Sequence, residues 1–100
     1  MTVTYTILFT QGAVFDTDYY VKVHMPLIAK SFPSTLLSWE VNTLPSDAPF
    51  CIQTQVEWTT EEAFASLPGS EAGQKIFADV PNFSKEAPIF MKLQPIAGSG

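Results

Sequence analysis

Residues 50–58 read FCIQTQVEW, and the alternation in this stretch indicates the kind of sheet that the chain forms. Successive side chains of a β-strand point to opposite faces of the sheet. One face of this strand is apolar apart from one threonine, with Ile52, Thr54, Val56 and Trp58. The other face is mostly polar, with Cys51, Gln53, Gln55 and Glu57. This pattern is typical of an antiparallel sheet that other elements cover on one face.

Three further stretches predict strands, because β-branched and aromatic residues recur in them: residues 2–10, 36–44 and 89–96. In the first stretch the larger side chains share one face, with Val3, Tyr5, Ile7 and Phe9. In the second stretch the residues predicted to share a face are Leu37, Trp39 and Val41. The sequence therefore predicts four strands.

Two helical stretches separate these strands. The first is predicted over about residues 17–31, with Asp16 as its N-cap. Pro26 lies inside it, and we expect a kink or an early tightening there, because proline lacks an N–H donor and crowds the preceding turn. The second stretch covers about residues 60–81, with a break at Pro68-Gly69.

The order of elements is β-α-β-β-α-β. It predicts an α+β, ferredoxin-like fold, in which a four-stranded antiparallel sheet carries both helices on one face. Two helices cannot cover both faces, so we expect a second copy of the chain to cover the other face, as in a dimeric α+β barrel. We assign residues 1–96 to this domain and residues 97–100 to a flexible C-terminal tail.

Charge and composition exclude several classes of protein. Ten acidic residues against five lysines, with no arginine, give a net charge of −5, whereas nucleic-acid-binding proteins cluster basic residues. No apolar stretch approaches the roughly 20 residues that cross a membrane, and the N-terminal stretch lacks the basic flank of a signal peptide. One cysteine, Cys51, cannot form an internal disulfide. We therefore expect a cytoplasmic protein with neither nucleic-acid nor membrane partners.

His24 is the single histidine, and it lies one turn after Tyr20 on the first predicted helix. Imidazole is the one side chain whose unperturbed pKa suits both proton donation and proton acceptance near pH 7, so His24 is a candidate catalytic residue. The competing interpretation is structural, with His24 capping or buttressing the helix beside Pro26. No second histidine or cysteine cluster provides a metal-ligand spacing, so we expect no protein-held metal, while haem ligation through His24 alone stays open.

Asp79 and Asn82 lie near the end of the second helical stretch. An acidic residue at a helix C-terminus opposes the helix dipole. Its presence there indicates either a specific turn ahead of Pro81 or a functional site.

Several other polar and aromatic residues have simpler interpretations. Gln53 must have hydrogen-bond partners if it faces the helices, and it needs no special explanation if it faces water or a subunit interface. Cys51 is typical of an inert thiol. Packing is the simplest role for the aromatic residues Tyr5, Trp39 and Trp58.

Three stretches resemble the EthD family: residues 20–27 (YVKVHMPL), 39–41 (WEV) and 73–83 (GQKIFADVPNF). The family carries a Tyr-x-x-x-His-x-Pro-Leu motif on its first helix, and a short subset labelled EthD-family reductases also carries Asp-Val-Pro-Asn-Phe. The resemblance extends over about residues 3–95. It implies the dimeric α+β barrel and a site at His24. Relatives in the wider superfamily include cofactor-free monooxygenases, polyketide cyclases, isomerases, dehydratases and haem enzymes.

We accordingly expect an enzyme, without a cofactor, that acts on a small apolar oxygenated molecule such as a polyketide of secondary metabolism or a catabolic intermediate. Proton transfer by His24 would serve a cyclisation, dehydration or isomerisation, as in a lyase or isomerase. The predicted catalytic residues are His24, Tyr20 and Asp79. The predicted substrate-binding residues are Tyr5, Trp39, Gln53, Asn82 and Phe83.

Two alternatives remain open at this point. One is an oxidoreductase, either a cofactor-free monooxygenase or an EthD-type reductase. The other is a non-catalytic small-molecule-binding protein that accompanies a monooxygenase. In each case the absence of arginine favours a neutral ligand, because guanidinium groups usually hold carboxylates and phosphates.

Overall fold

Four strands form one antiparallel sheet in a computed structural model that describes residues 2–12 and 14–99. The strands are β1 (Val3–Thr10), β2 (Leu36–Thr43), β3 (Phe50–Trp58) and β4 (Ile89–Lys92). Their order in the sheet is β2-β3-β1-β4, with β3 and β1 at the centre. This is the order of a ferredoxin-like fold, so the predicted fold class is confirmed.

The first helical stretch, α1, covers residues 17–31 and consists of three parts. These are an α-helical start (Thr17–Tyr19), a π-helical turn (Tyr20–His24) and an α-helical end (Met25–Ser31). The Asp16 side chain accepts a hydrogen bond from the backbone N–H of Tyr19 at 3.1 Å. Asp16 is therefore the N-cap that the sequence predicts.

The second helical stretch also breaks where proline and glycine occur. Thr60 caps α2 (Glu61–Ala65), and a 3₁₀ turn (Leu67–Gly69) follows it. Ser70 then caps α3 (Glu71–Asp79), which ends in another 3₁₀ turn (Val80–Asn82). The N-caps satisfy backbone N–H groups that a helix start leaves unpaired.

The core lies between the helices and one face of the sheet. The strands contribute large buried side chains to it: Tyr5, Ile7, Phe9, Ile52, Val56 and Trp58. The helices and the loop after them contribute Tyr20, Met25, Ile28, Ile76 and Phe83. Each such side chain stabilises the fold by roughly 1.5–3 kcal/mol relative to leaving it in water. The alternation predicted for β1 and β3 is confirmed by this burial.

A β-bulge near the start of β2 changes which leucine faces the core. Leu36 pairs with Trp58 and Ser38 pairs with Glu57, so Leu37 is the extra residue between them. Leu36 is buried and Leu37 is half exposed. The prediction that Leu37 shares a face with Trp39 and Val41 is therefore wrong, because the inserted residue shifts the alternation.

The last strand is shorter than the predicted residues 89–96. β4 ends at Lys92, and one further backbone hydrogen bond joins Leu93 to Thr4 at 2.9 Å. Beyond it Val3 is the one residue of β1 still opposite the chain, and Pro95 carries no N–H that could continue the ladder. Residues 93–99 belong to no helix or strand. Gly100, the end of the predicted tail, lies outside the described residues.

The other side of the sheet, called the open face here, carries the alternate residues of all four strands. Its centre is polar, because Gln53 donates to Thr6 Oγ1 and accepts from Asn42 Nδ2, each at 2.8 Å. Its β4 side is apolar, with Ile89 and Met91 both substantially exposed. In the part of the chain that the structure describes, the helices pack on the core face of the sheet and leave this face uncovered.

Candidate functional site

The π-helical turn in α1 lies directly before Pro26. There the backbone N–H of Met25 donates to the carbonyl of Tyr20, five residues earlier, instead of four. In a regular α-turn the Pro26 ring would collide with the carbonyl of Lys22, and the wider turn relieves that collision. Of the two outcomes expected at Pro26, a kink or an early tightening, the tightening is wrong, because the helix widens by one residue in the preceding turn.

Two predicted site residues, Tyr20 and His24, are in contact within this π-helical turn. The rings of Tyr20 and His24 stack with their centroids 5.5 Å apart and their planes at 17°. Both side chains are buried against the sheet. Phe83, from the loop after α3, packs on His24 with ring centroids 4.5 Å apart. His24 is thus fixed between an aromatic ring from its own helix and one from the other half of the chain.

Asp79, the last residue of α3, forms a hydrogen bond with His24. Its Oδ2 lies 2.9 Å from His24 Nδ1. Its Oδ1 accepts two further hydrogen bonds, from the Tyr19 hydroxyl at 2.7 Å and from Asn82 Nδ2 at 2.8 Å. Three donors therefore converge on one carboxylate, an arrangement that favours its ionised form.

The pKa shifts of the pair agree with this arrangement. Burial lowers the pKa of His24 below its usual 6.5, and the hydrogen bond and charge of Asp79 only partly oppose that shift. Burial alone would raise the pKa of Asp79, but the hydrogen bonds from Tyr19, Asn82 and His24 outweigh it and lower that pKa below 3.8. At neutral pH the pair is therefore a neutral imidazole beside a carboxylate.

The hydrogen-bond partner of neutral His24 determines which of its two ring nitrogens carries the proton. A carboxylate is an acceptor only, so Nδ1 carries the proton and donates it to Asp79. Nε2 then has a free lone pair. Among residues 2–12 and 14–99, no side-chain hydrogen bond reaches Nε2. The arrangement therefore presents a base whose tautomer and ring orientation a carboxylate holds.

Tyr20 is bound to the sheet instead of to His24. Its hydroxyl lies 2.6 Å from Thr54 Oγ1 on β3. Burial raises the pKa of Tyr20 to about 12, with the Thr54 hydrogen bond opposing part of the rise. The phenol therefore stays protonated at neutral pH, and its ring forms a wall beside the imidazole.

An apolar cavity adjoins His24 between the sheet and the helices. It offers about 50 Å³ of space for the centres of water-sized molecules. Besides Tyr20, His24 and Phe83, its wall includes Trp58, Phe64 and Phe90. Phe77 and Phe90 are partly exposed and also line it, so the cavity opens to solvent beside them. A small apolar molecule fits these surroundings better than a charged one.

The structure brings five of the eight predicted site residues together. His24, Tyr20 and Phe83 line the cavity, and Asp79 and Asn82 lie behind His24. The other three lie elsewhere. Tyr5 stacks on Phe64 in the core, with ring centroids 3.8 Å apart, Trp39 lies at the edge of the core on β2, and Gln53 lies on the open face.

Two polar residues of the site do not appear among the predicted ones. Thr54 had a usable signal, since a hydroxyl on the apolar face of β3 needs a buried partner. Tyr19 had none. On a regular helix Tyr19 and His24 are five positions apart and face different directions, and only the widened turn lets both reach Asp79.

The described parts of the chain offer few groups for a metal. Within residues 2–12 and 14–99, no three His, Cys, Asp or Glu side chains lie close enough to hold an ion. For the same residues, no helix combines the length and the apolar composition that crossing a bilayer requires.

Comparison with known proteins finds structures of the same fold, and neither a family model nor a curated sequence that matches. No model of a known protein family matches the chain, and no curated protein sequence matches it either. Solved structures do match. An EthD-like protein from Ralstonia eutropha JMP134 has 21% sequence identity and a TM-score of 0.80, over 98% of this chain and 95% of that one.

Two further structures show how widely the fold is shared. SnoaB, a cofactor-independent oxygenase from Streptomyces nogalater, has 12% identity and a TM-score of 0.67, over 98% of each chain. A dimeric ferredoxin-like protein of unknown function from Jannaschia sp. CCS1 has 7% identity and a TM-score of 0.61, over 95% of this chain and all of that one. The chain therefore has the α+β fold of EthD-like proteins and SnoaB.

Proposed function

We propose that this protein is an enzyme that needs no cofactor and moves a proton on a small, neutral, mostly apolar molecule through His24. One observation carries the proposal: a neutral histidine, held by a carboxylate through Nδ1, lines an apolar cavity. Burying a histidine and a carboxylate costs stability, so the pair is better explained by a function than by packing. A general base in an enzyme is a side chain positioned in this way.

In the proposed reaction His24 Nε2 removes a proton from a carbon next to a carbonyl of the substrate. The imidazolium that forms is stabilised by Asp79, which is already ionised and hydrogen-bonded. Nε2 then returns the proton to another carbon in an isomerisation, to the departing hydroxyl, which leaves as water, in a dehydration, or to the alkoxide left when a new C–C bond forms at a second carbonyl in a ring closure. Proton transfer of this kind contributes about 10²–10⁴-fold to a rate.

The neighbouring residues have supporting roles in this proposal. Tyr20 and Phe83 hold the imidazole between their rings, and Asn82 with Tyr19 keeps Asp79 oriented. Tyr20 does not donate to the substrate while its hydroxyl is bound to Thr54. Asp79 and Asn82 act through His24 and are positioning residues.

A second copy of the chain belongs to the proposal as well. The open face carries the exposed apolar side chains of Ile89 and Met91 beside a polar network, and a like face on a partner would bury them. The similarity to a dimeric ferredoxin-like protein supports this arrangement. The homodimer would be the dimeric α+β barrel expected from the sequence.

The experiment begins from the host, because the substrate is unidentified. Untargeted metabolite profiling of a strain that lacks the gene should reveal one accumulating neutral compound. Complementation with the wild type should remove it, and complementation with His24→Ala should not. Lys30→Ala, an exposed change on the same helix, is the matched control and should behave as wild type.

The purified protein then tests the mechanism on that compound. We expect His24→Ala to lower kcat/KM by about 10²-fold or more, and Asp79→Asn to lower it less, since the imidazole keeps its place but loses its anionic partner. Activity of His24→Ala within about threefold of wild type would rule out the proton-transfer role. Tight binding without turnover would instead identify a small-molecule-binding accessory protein.

The similarity to SnoaB supports a second candidate, cofactor-independent oxygenation in the same cavity. The two reactions differ in one reactant. An oxygenase consumes dissolved oxygen in step with the substrate, whereas a proton transfer proceeds at the same rate under argon. An oxygen electrode and an anaerobic assay on the accumulated compound decide between them.

A further inference from the structure

Trp58 carries a buried hydrogen-bond donor that the rest of the site does not use. Its indole Nε1 is shielded from solvent, and within residues 2–12 and 14–99 it is the buried side-chain atom that has no hydrogen-bond partner. The residue itself is 2% exposed and ends β3. Buried donors are nearly always paired, because an unpaired one costs free energy. This N–H therefore calls for an acceptor that the chain does not supply.

The surroundings of Trp58 explain why no partner is available. The side chain lines the same cavity as His24, next to Ile28, Phe64 and Leu67, whose side chains contain no acceptor. Phe32 and Phe64 meet the indole edge to face, with ring centroids 5.7 and 6.1 Å away. A ring face accepts a hydrogen bond more weakly than an oxygen does. An oxygen atom would be the stronger partner, and a ligand oxygen that reaches Nε1 has to displace a neighbouring side chain, because this nitrogen is shielded on all sides in the unliganded chain.

We infer that the Trp58 N–H binds a carbonyl oxygen of the molecule that occupies this cavity. The indole is a donor only, so its partner must be an acceptor. The wall is apolar and the chain has no arginine, so a carboxylate would lose its hydration without a counter-charge. Neutral oxygen acceptors remain, and among them a ketone, aldehyde or ester oxygen is the one that activates a neighbouring C–H for the proposed base.

This inference rests on the proposed function for the location of the ligand, and it adds the functional group. A carbonyl that accepts a hydrogen bond from Trp58 is polarised, and its neighbouring C–H becomes more acidic. His24 and Trp58 would then act on one substrate from the same cavity, the first on the proton and the second on the oxygen.

Two probes of similar shape test the inference without the natural substrate. Acetophenone carries a carbonyl, and ethylbenzene has a methylene in its place. The chain has two tryptophans, and a Trp39→Phe variant assigns the Trp58 indole signal in a ¹⁵N-labelled sample. Titration with acetophenone should move the Trp58 N–H proton downfield. Ethylbenzene should leave it nearly unchanged.

Replacement of the donor gives the second measurement. Trp58→Phe should weaken acetophenone binding about fivefold and ethylbenzene binding little, as expected for the loss of one hydrogen bond. Incorporation of 3-benzothienylalanine at position 58 keeps the ring system and replaces N–H by sulfur. It should have the same selective effect, and it guards against a Trp58→Phe variant that folds poorly.

The inference is overturned by any of three results. These are binding of acetophenone while the Trp58 signal stays in place, an equal loss of affinity for the two probes on substitution, and no binding of acetophenone up to its solubility limit. If the Trp58 measurements are as expected but His24→Ala keeps full activity, the carbonyl-binding site is supported and the proposed proton transfer is wrong.

Discussion

At the scale of single residues, the site depends on how one carboxylate is supplied with donors. Asp79 lies at the C-terminal end of α3, where the helix dipole disfavours a negative charge. Hydrogen bonds from Tyr19, Asn82 and His24 offset that cost. The carboxylate therefore stays ionised where an isolated acid would be unfavourable, and it can hold His24 in one tautomer.

The same pair should make the protein less stable in acid. Burial lowers the pKa of His24 below the 6.5 of an exposed histidine, so the unfolded chain takes up this proton first as the pH falls. The contribution of neutral His24 to the free energy of unfolding is complete above about pH 6.5, and it is lost as the pH drops through the lowered pKa. Urea unfolding at about pH 8, 6 and 5 should show a free energy of unfolding that falls over this range.

A His24→Gln variant provides the comparison for that measurement. It removes the titrating group, so its free energy of unfolding should vary less between about pH 6.5 and 5. Asp79, whose pKa is lowered below 3.8, acts in the same direction only at lower pH. Equal pH dependence in the wild type and the variant would show that His24 titrates alike in the folded and unfolded chains.

The residues of the site divide by the kind of signal that reveals them. His24, Asp79 and Asn82 could be selected from the sequence because a single histidine and an acid at a helix end are unusual in themselves. Tyr19 could not, since its contact with Asp79 depends on the wide turn in α1. Trp58 was interpreted as a packing residue, and its ring does pack. Its unpaired N–H can be detected only from the contacts around it.

At the scale of elements, α3 packs more closely on the turn before it than most side chains would allow. A Cβ on Gly73 would lie 2.6 Å from the carbonyl carbon of Leu67 and 2.8 Å from Ser70 Oγ. Only a glycine fits there without movement of the backbone. Gly73 also lines the cavity, so this close approach helps to determine its shape.

Gly73→Ala should therefore reduce stability by about 1–3 kcal/mol, the usual cost of forcing extra atoms into a packed site. Gly69→Ala is the matched control, because a Cβ at that position meets nothing within 4 Å. It should change the free energy of unfolding by less than about 0.5 kcal/mol. Urea unfolding of both variants checks the difference, and equal values would contradict the packing argument.

The elements themselves were largely predictable, and their irregularities were not. Period-two alternation located β1 and β3 because one face of each packs into the core, although Thr6 and Leu8 on the other face of β1 are buried as well. The bulge at Leu37 adds a residue without breaking the composition of β2. Pro26 signalled a disturbance in α1, but its position did not tell whether the helix would tighten or widen.

At the scale of the whole molecule, the isolated chain has a larger accessible surface than is typical of a monomer of its mass. Its accessible area is 6235 Å², against about 5,600 Å² for a typical monomer of 11.0 kDa. Residues 93–99 are exposed, and so are Ile89 and Met91 on the open face. A partner on that face would bring the area per chain closer to the usual value.

A charge on the open face should prevent the proposed association. Met91→Lys places a cation among the apolar residues of β4, where a partner would have to desolvate it. In sedimentation at micromolar concentration we expect the wild type to be dimeric and Met91→Lys to be monomeric. Val23→Lys, an equally exposed position on α1, is the control and should stay dimeric. A monomeric wild type would contradict the barrel.

The sequence was sufficient for the fold and insufficient for the reaction, for physical reasons. Burial imposes a period on the residues of a strand or helix, so the order β-α-β-β-α-β can be recognised from the periodicity of the sequence. A substrate imposes its chemistry on a few side chains, and that constraint leaves no periodic trace. The cavity and its donors become visible only when distant segments are placed together.

The hydrogen bond between His24 and Asp79 joins residues 55 positions apart in the chain. Each comes from a different half of the domain, His24 from the first helix and Asp79 from the last. A chimera that combined half of this chain with the complementary half of another protein of the same fold could thus keep its sheet and lose its acid–base pair. Recombination within this fold should therefore be more permissive for architecture than for chemistry.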